Sequence, residues 1–134
     1  MSIKMVFIAL AAAAMALTAP AIAQDASAFN QCQSCHMVTA PDGRTIAGRG
    51  RTGPNLYGII GRRAGTEPGF RYGESLVAAG ASGLVWTQQN LAAYVSDPTG
   101  FLQQVTGDSS ARSRMSYRAR SGQAEVAAFL ASAR

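Results

Sequence analysis

Two thiols and an imidazole stand within five consecutive residues, Cys32-Gln33-Ser34-Cys35-His36. The chain has 2 Cys and 1 His, so this pentapeptide holds all of them. The spacing C-x-x-C-H is the attachment signature of a c-type haem. On a helical segment, residues i and i+3 share a face. Both thiols can then reach the two vinyl groups of one porphyrin and form thioethers. His36, next in sequence, can turn its imidazole under the iron. A thioredoxin-like redox pair is a second reading, but it wants a βαβ setting that the sequence does not show. Half of a zinc site is a third, and zinc needs two more ligands.

The start of the chain bears on the compartment. Met1–Lys4 carries one positive charge, Met5–Leu17 is apolar and Ala-rich, and Ala21-Ile22-Ala23 suits a small-residue cleavage site. This pattern predicts a secretory signal peptide over residues 1–23, removed to leave a single domain over 24–134. An uncleaved anchor is the alternative. Met5–Leu17 is short of the roughly 20 residues that span a bilayer, and a longer span would have to cross Pro20. Export of a chain with this motif predicts a periplasmic location. Of the 12 Lys plus Arg, all but Lys4 are arginine, against 7 Asp plus Glu. Moderate positive charge favours acidic partners. It does not suggest nucleic acid, because no recognisable binding motif accompanies the arginines.

Downstream of His36 the chain reads as loops punctuated by short helices. Ala26–His36 is expected to be a short helix leading into the motif. Pro41-Asp42-Gly43 reads as a turn, and Gly58–Phe70 is loop-like. A short helix is expected over Gly73–Ala79, ending at Gly80. Thr87 is a candidate N-cap for Gln88–Ser96, which stops at Asp97-Pro98. Another short helical turn is expected within Pro98–Gln104, then a polar surface loop over Thr106–Arg112. Val126, Phe129, Leu130 and Ala133 give Gln123–Ala133 the spacing of an amphipathic helix. No alternating strand pattern stands out. A chain this small has little surface to bury, and a covalent haem would add a large apolar nucleus.

The iron of a haem carrier usually takes a second axial ligand such as Met. Beyond the predicted leader only Met37 and Met115 remain. Met37 adjoins His36 and cannot easily reach the opposite haem face. Met115 lies in a polar segment, Ser113-Arg114-Met115-Ser116-Tyr117, which suits a ligand loop better than a core. The alternative is a gap-filling Met. A vacant sixth position would instead suit a gas binder or a peroxidase.

The ordered landmarks Phe29-Asn30-Gln31-Cys32, Cys35-His36, Thr52-Gly53-Pro54-Asn55-Leu56-Tyr57-Gly58, Gly61-Arg62, Gly69-Phe70, Tyr72, Trp86, Tyr94, Pro98 and Met115 resemble class I cytochromes c, in particular the bacterial cytochrome c2 group. The resemblance implies an all-α fold: one small cytochrome c domain of short helices and loops wrapped around a single haem c. It implies His36 and Met115 as iron ligands. Pro54 would orient His36 through its carbonyl, as outer-shell partners commonly do. Tyr72 and Trp86 would hydrogen-bond a buried haem propionate, and Arg62 would neutralise it, since an unpaired buried carboxylate is costly. Tyr94 would set its hydroxyl near the Met115 sulfur. Asn55 and Ser113 are weaker candidates for local polar contacts. Leu56, Leu91, Phe101, Phe129 and Leu130 read as packing residues.

Three departures from the family pattern stand out. Asp25 replaces a glycine at the usual crossing of the terminal helices, which predicts a shortened first helix and looser terminal packing. Tyr117 replaces a common Phe two residues after the ligand Met, and its hydroxyl needs a partner or water. The usual lysine ring is absent, and Arg49, Arg51, Arg112, Arg114, Arg118 and Arg120 are its candidate substitutes for docking. The resemblance further implies a monomeric electron carrier and not an enzyme. A cytochrome bc1 complex would donate, and a photosynthetic reaction centre or terminal oxidase would accept.

Overall fold

A computed structural model describes residues 25–134; the predicted leader, residues 1–23, lies outside the described residues. The chain begins with a 3₁₀ helix over Ala26–Gln31 and passes through turns at Cys32–Cys35 into an antiparallel hairpin. The hairpin strands are β1 (Met37–Thr39) and β2 (Thr45–Gly48), and four α-helices follow. These are α1 (Glu74–Ala81), α2 (Gln88–Ser96), α3 (Pro98–Thr106) and α4 (Gln123–Ser132). The fold is thus mainly helical with one small sheet. The hairpin escapes a search for alternation because strands of three and four residues, irregular in register between Val38 and Thr39, hardly display a period.

Local chemistry explains most helix limits. Thr87 opens α2 with a reciprocal capping box: Asn90 N–H donates to Thr87 Oγ1 (3.1 Å) and Thr87 N–H donates to Asn90 Oδ1 (2.8 Å). Asp97 caps α3 by accepting from Gly100 N–H (3.2 Å), with Pro98 at the first position. That helix runs further than expected, to Thr106, and stops at the left-handed Gly107. The first helix is shorter than expected and of 3₁₀ type, and Asp25 caps it by accepting from Ser27 N–H (2.8 Å).

Terminal packing is nevertheless tight, contrary to the expectation from Asp25. Phe29 and Phe129 are 1% and 4% exposed, with ring centroids 5.5 Å apart. The closure comes from this aromatic pair, so a crossing glycine is not required. Val126 and Leu130 of α4 extend the same core, which continues to Leu91 of α2 and Leu102 of α3. Tyr94, Trp86 and Phe101 form a contiguous aromatic group beside it.

Asn55 ties the hairpin to the following loop. Its Oδ1 accepts from Thr39 N–H (3.0 Å) and its Nδ2 donates to Thr39 O (2.8 Å). The amide thereby imitates the backbone of a neighbouring strand. Oδ1 also accepts from Tyr57 N–H (3.1 Å).

Helix α1 approaches the Arg63–Ala64 segment so closely that a Cβ on Gly80 would run into the Ala64 carbonyl oxygen. Overpacking of a closed contact costs about 1–3 kcal/mol. Gly80→Ala is therefore expected to lower unfolding stability by about that amount, read from the denaturant midpoint. An unchanged midpoint would show that this crossing yields freely.

Candidate functional site

The Cys32–His36 segment closes as one helical turn, with Cys35 N–H and His36 N–H both directed to Cys32 O (3.2 and 2.9 Å). Three glycines allow the chain after β2 to lie against it. Gly48 takes a left-handed φ of 74°. A Cβ at Gly50 would fall 2.5 Å from Cys35 Cα, and one at Gly53 would fall 2.6 Å from His36 Nδ1 and 2.8 Å from Nε2. Backbone bonds lace the two segments together: Gly50 N–H to Gln33 O (3.0 Å) and Gly53 N–H to Cys35 O (2.7 Å). A side chain at position 50 or 53 would displace the thiol or the imidazole.

The ring of His36 is fixed in orientation and in proton state. Pro54 O lies 2.9 Å from Nδ1, and a carbonyl can only accept, so Nδ1 carries the proton. Burial lowers the pKa of the ring from its ordinary value, and the Pro54 hydrogen bond opposes this in part. The imidazole is therefore neutral at pH 7 and keeps an Nε2 lone pair for a metal. Cys32 is half-buried, and desolvation first, then Cys35, pushes its pKa up to about 11. A nucleophilic redox thiol needs a depressed pKa, and Cys32 is shifted the opposite way. Among the described residues no three His, Cys, Asp or Glu side chains gather as a metal site, which removes the zinc reading.

Two adjoining cavities, of about 300 and 120 Å³, share Cys35, His36, Tyr94, Met115 and Tyr117 in their walls. Pro54 and Tyr72 line the larger, while Cys32 and Trp86 line the smaller. Two thiols, a neutral imidazole and a thioether thus border one mainly apolar hollow. That donor set fits a covalently tethered haem. Met115 is placed by a chain of hydroxyls: its N–H donates to Ser113 Oγ (3.1 Å), which is paired with Tyr94 OH (3.1 Å). Ser113 N–H in turn donates to Thr99 Oγ1 on α3 (3.0 Å). The Tyr94 hydroxyl, expected beside the Met115 sulfur, pairs with Ser113 Oγ, and Tyr94 and Met115 line both cavities together. Burial raises the Tyr94 pKa, and the Ser113 bond partly offsets the rise.

The expected propionate anchors are not brought to one point. Arg62 lines neither cavity and forms an ion pair with Glu67. Tyr72 OH accepts from Glu67 N–H (3.1 Å), so the 65–70 turn folds back on both residues. Glu67 carries no motif, and its role was invisible without the turn geometry. Of the candidate docking arginines, Arg112 and Arg114 border the larger cavity, joined there by Arg71, which sequence reasoning missed. Arg118 pairs with Asp97 (2.5 Å), and this partner together with Gly100 holds the Asp97 carboxyl below its ordinary pKa. Arg49 and Arg51 are exposed on either side of Gly50, against the thiol segment. Arg120 is exposed as well.

No protein-family model matches the chain. Cytochrome c2 of Rhodobacter capsulatus is 48% identical over 124 residues, covering 90% of each chain. Cytochrome c-550 of Paracoccus denitrificans is 46% identical over 127 residues, covering 89% of this chain and 82% of that protein. The solved structure of the Rhodobacter capsulatus cytochrome c2 superposes with a TM-score of 0.76, at 49% identity, over 78% of this chain and 90% of that one.

Replacing Gly53 by Ala is expected to leave the Cys32 and Cys35 attachments intact while forcing His36 off its Pro54 bond. Stability should fall by about 1–3 kcal/mol in a denaturant titration, with a shifted midpoint potential. Wild-type values for both would mean that this backbone contact does not set the ring.

Proposed function

The chain belongs to the class I cytochromes c, in the group of bacterial cytochromes c2 and c-550, and from that premise we propose a periplasmic one-electron carrier acting as a monomer. Members of this family carry electrons, and one haem c, held through Cys32 and Cys35, is the cofactor. The observation that carries the reading is the hollow bordered at once by Cys35, His36 and Met115. Bound there, the haem supplies a ferric–ferrous couple.

The protein's part is to hold that group still and keep substrates away from it. His36, locked by Pro54, would hold the iron through Nε2, and Met115 would hold it through its sulfur. With both ligands supplied by the chain, the iron would offer no site to a substrate, as a carrier requires and an enzyme or a gas binder does not. Met ligation and burial both favour the reduced state. Tyr72 and Trp86 are proposed to donate O–H and N–H to the haem carboxylates. Arg62, shared with Glu67, contributes positive charge at a greater remove.

Docking is proposed at the larger cavity, whose lining includes Arg71, Arg112 and Arg114, with Arg49, Arg51 and Arg120 widening the basic surface. Arg118 adds less, because Asp97 already balances it. Guanidinium groups keep the charge of lysine and add bidentate recognition of carboxylates. A cytochrome bc1 complex is the proposed donor, and a photosynthetic reaction centre or a terminal oxidase the proposed acceptor. The predicted leader over residues 1–23 supports export. Among the described residues no helix is long and apolar enough to cross a membrane.

Met115→Ala should abolish the weak far-red band of the oxidised protein and let carbon monoxide bind the reduced form. An unaltered spectrum would refute the sulfur ligand. Reversing Arg71, Arg112 and Arg114 to Glu should slow association with a purified bc1 complex by about tenfold or more at low salt, with the deficit shrinking as ionic strength rises. Equal rates at every salt concentration would remove this docking surface.

A further inference from the structure

The loop that carries Met115 is fastened unevenly. Before Met115, Ser113 is held to Thr99 and Tyr94 by part-buried hydroxyls. After it, Ala119 N–H donates to Val95 O (2.7 Å), fixing the loop to the end of α2. Between these anchors, one bond among the described residues reaches across to the N-terminal helix: Tyr117 OH donates to Gln31 Oε1 (2.9 Å). The amide of Gln31 is itself oriented, because its Nε2 donates to Ala28 O (3.2 Å) and to Ser121 O (3.1 Å). Its oxygen is thereby left facing the phenol. Gln31 and Tyr117 both line the smaller cavity, alongside Cys32 and Met115.

We propose that the Tyr117–Gln31 bond is a latch that closes the Met115 loop over the haem pocket and limits the entry of small nitrogenous ligands to the iron. The inference rests on the reading of Met115 as the sulfur ligand. Tyr117 is 47% exposed, so water competes for its hydroxyl and the bond can open without stranding a buried polar group. Opening frees Ser116 and Tyr117, while the hydroxyl chain before Met115, the Arg118–Asp97 pair and the Ala119 anchor stay in place. The loop then parts on the Cys32 side, next to the sulfur. Tyr117 and Gln31 are positioning residues: they act on the site through the backbone of the loop.

The test uses oxidised holoprotein and imidazole as the entering ligand. Tyr117→Phe keeps the ring and removes the donor, so imidazole should bind about fivefold more tightly, the factor that one net hydrogen bond contributes. In a double-mutant cycle, Tyr117→Phe should add no further gain on a Gln31→Leu background. Amide exchange of Met115–Tyr117 should quicken in Tyr117→Phe, while that of α4 stays at its wild-type rate. Wild-type imidazole affinity, additive effects in the cycle, or equal quickening in α4 would each overturn the latch. A far-red band that persists in Met115→Ala would instead overturn the ligand assignment beneath it. A band that depends on Met115, with unchanged imidazole binding in Tyr117→Phe, would overturn the latch alone.

Discussion

The hydrogen bond between His36 Nδ1 and Pro54 O decides more than the tilt of one ring. It places the proton on Nδ1, leaves Nε2 as the lone pair, and fixes the separation of the motif from the 48–54 segment. That separation is small enough that only glycine fits at positions 50 and 53. The loop and the motif therefore define each other. Neither surface is rigid alone, since the motif is a single turn and the loop has no regular structure. Backbone bonds from Gly50 and Gly53 convert the two into one block. Preorganisation of a ligand through its second contact is a general device of metal sites. Here it is built from a proline carbonyl and two missing side chains.

The opposite wall is made differently. Met115 owes its place to hydroxyl groups from three elements: Tyr94 of α2, Thr99 of α3 and Ser113 of the loop itself. Hydroxyls can donate and accept, so such a chain adjusts its direction without leaving a partner unsatisfied. The imidazole side is thus stiff and sterically defined, and the thioether side is held by polar contacts that can exchange. A carrier gains from this combination. As the proposed iron ligands, His36 would fix the frame and Met115 would accommodate small shifts of the bound group.

Much of the arrangement could be read from the chain. C-x-x-C-H, the late Met115 and the Gly-Pro-Asn-Leu run are local signals, and local signals survive in sequence. Helix α2 was legible to the residue because Thr87 and Asp97-Pro98 mark both ends. The hairpin was not, because its strands are too brief for periodicity. The 3₁₀ character of the first helix was hidden for a similar reason, since six residues with no charged pattern look the same in either helical form. Contacts between remote polar residues were the least legible. Glu67 with Arg62, Gln31 with Tyr117 and Asp97 with Arg118 depend on how turns fold back, and nothing in their own neighbourhoods announces a partner. Ser113 shows the intermediate case: its place near Met115 was visible, and its bridging of Tyr94 to the backbone was not.

The side chain of Asn55 gives and receives at the same residue, Thr39, as a strand would. The planar amide does both at once from two separate atoms. Deamidation to aspartate would turn the Nδ2 donor into a second acceptor pointed at the Thr39 carbonyl. The hairpin would lose its tie to the segment that begins at Pro54, and the repulsion would be felt one residue away from the carbonyl that steers His36. Chemical ageing of a single side chain, with no change in the encoded sequence, would then reach His36 through the backbone.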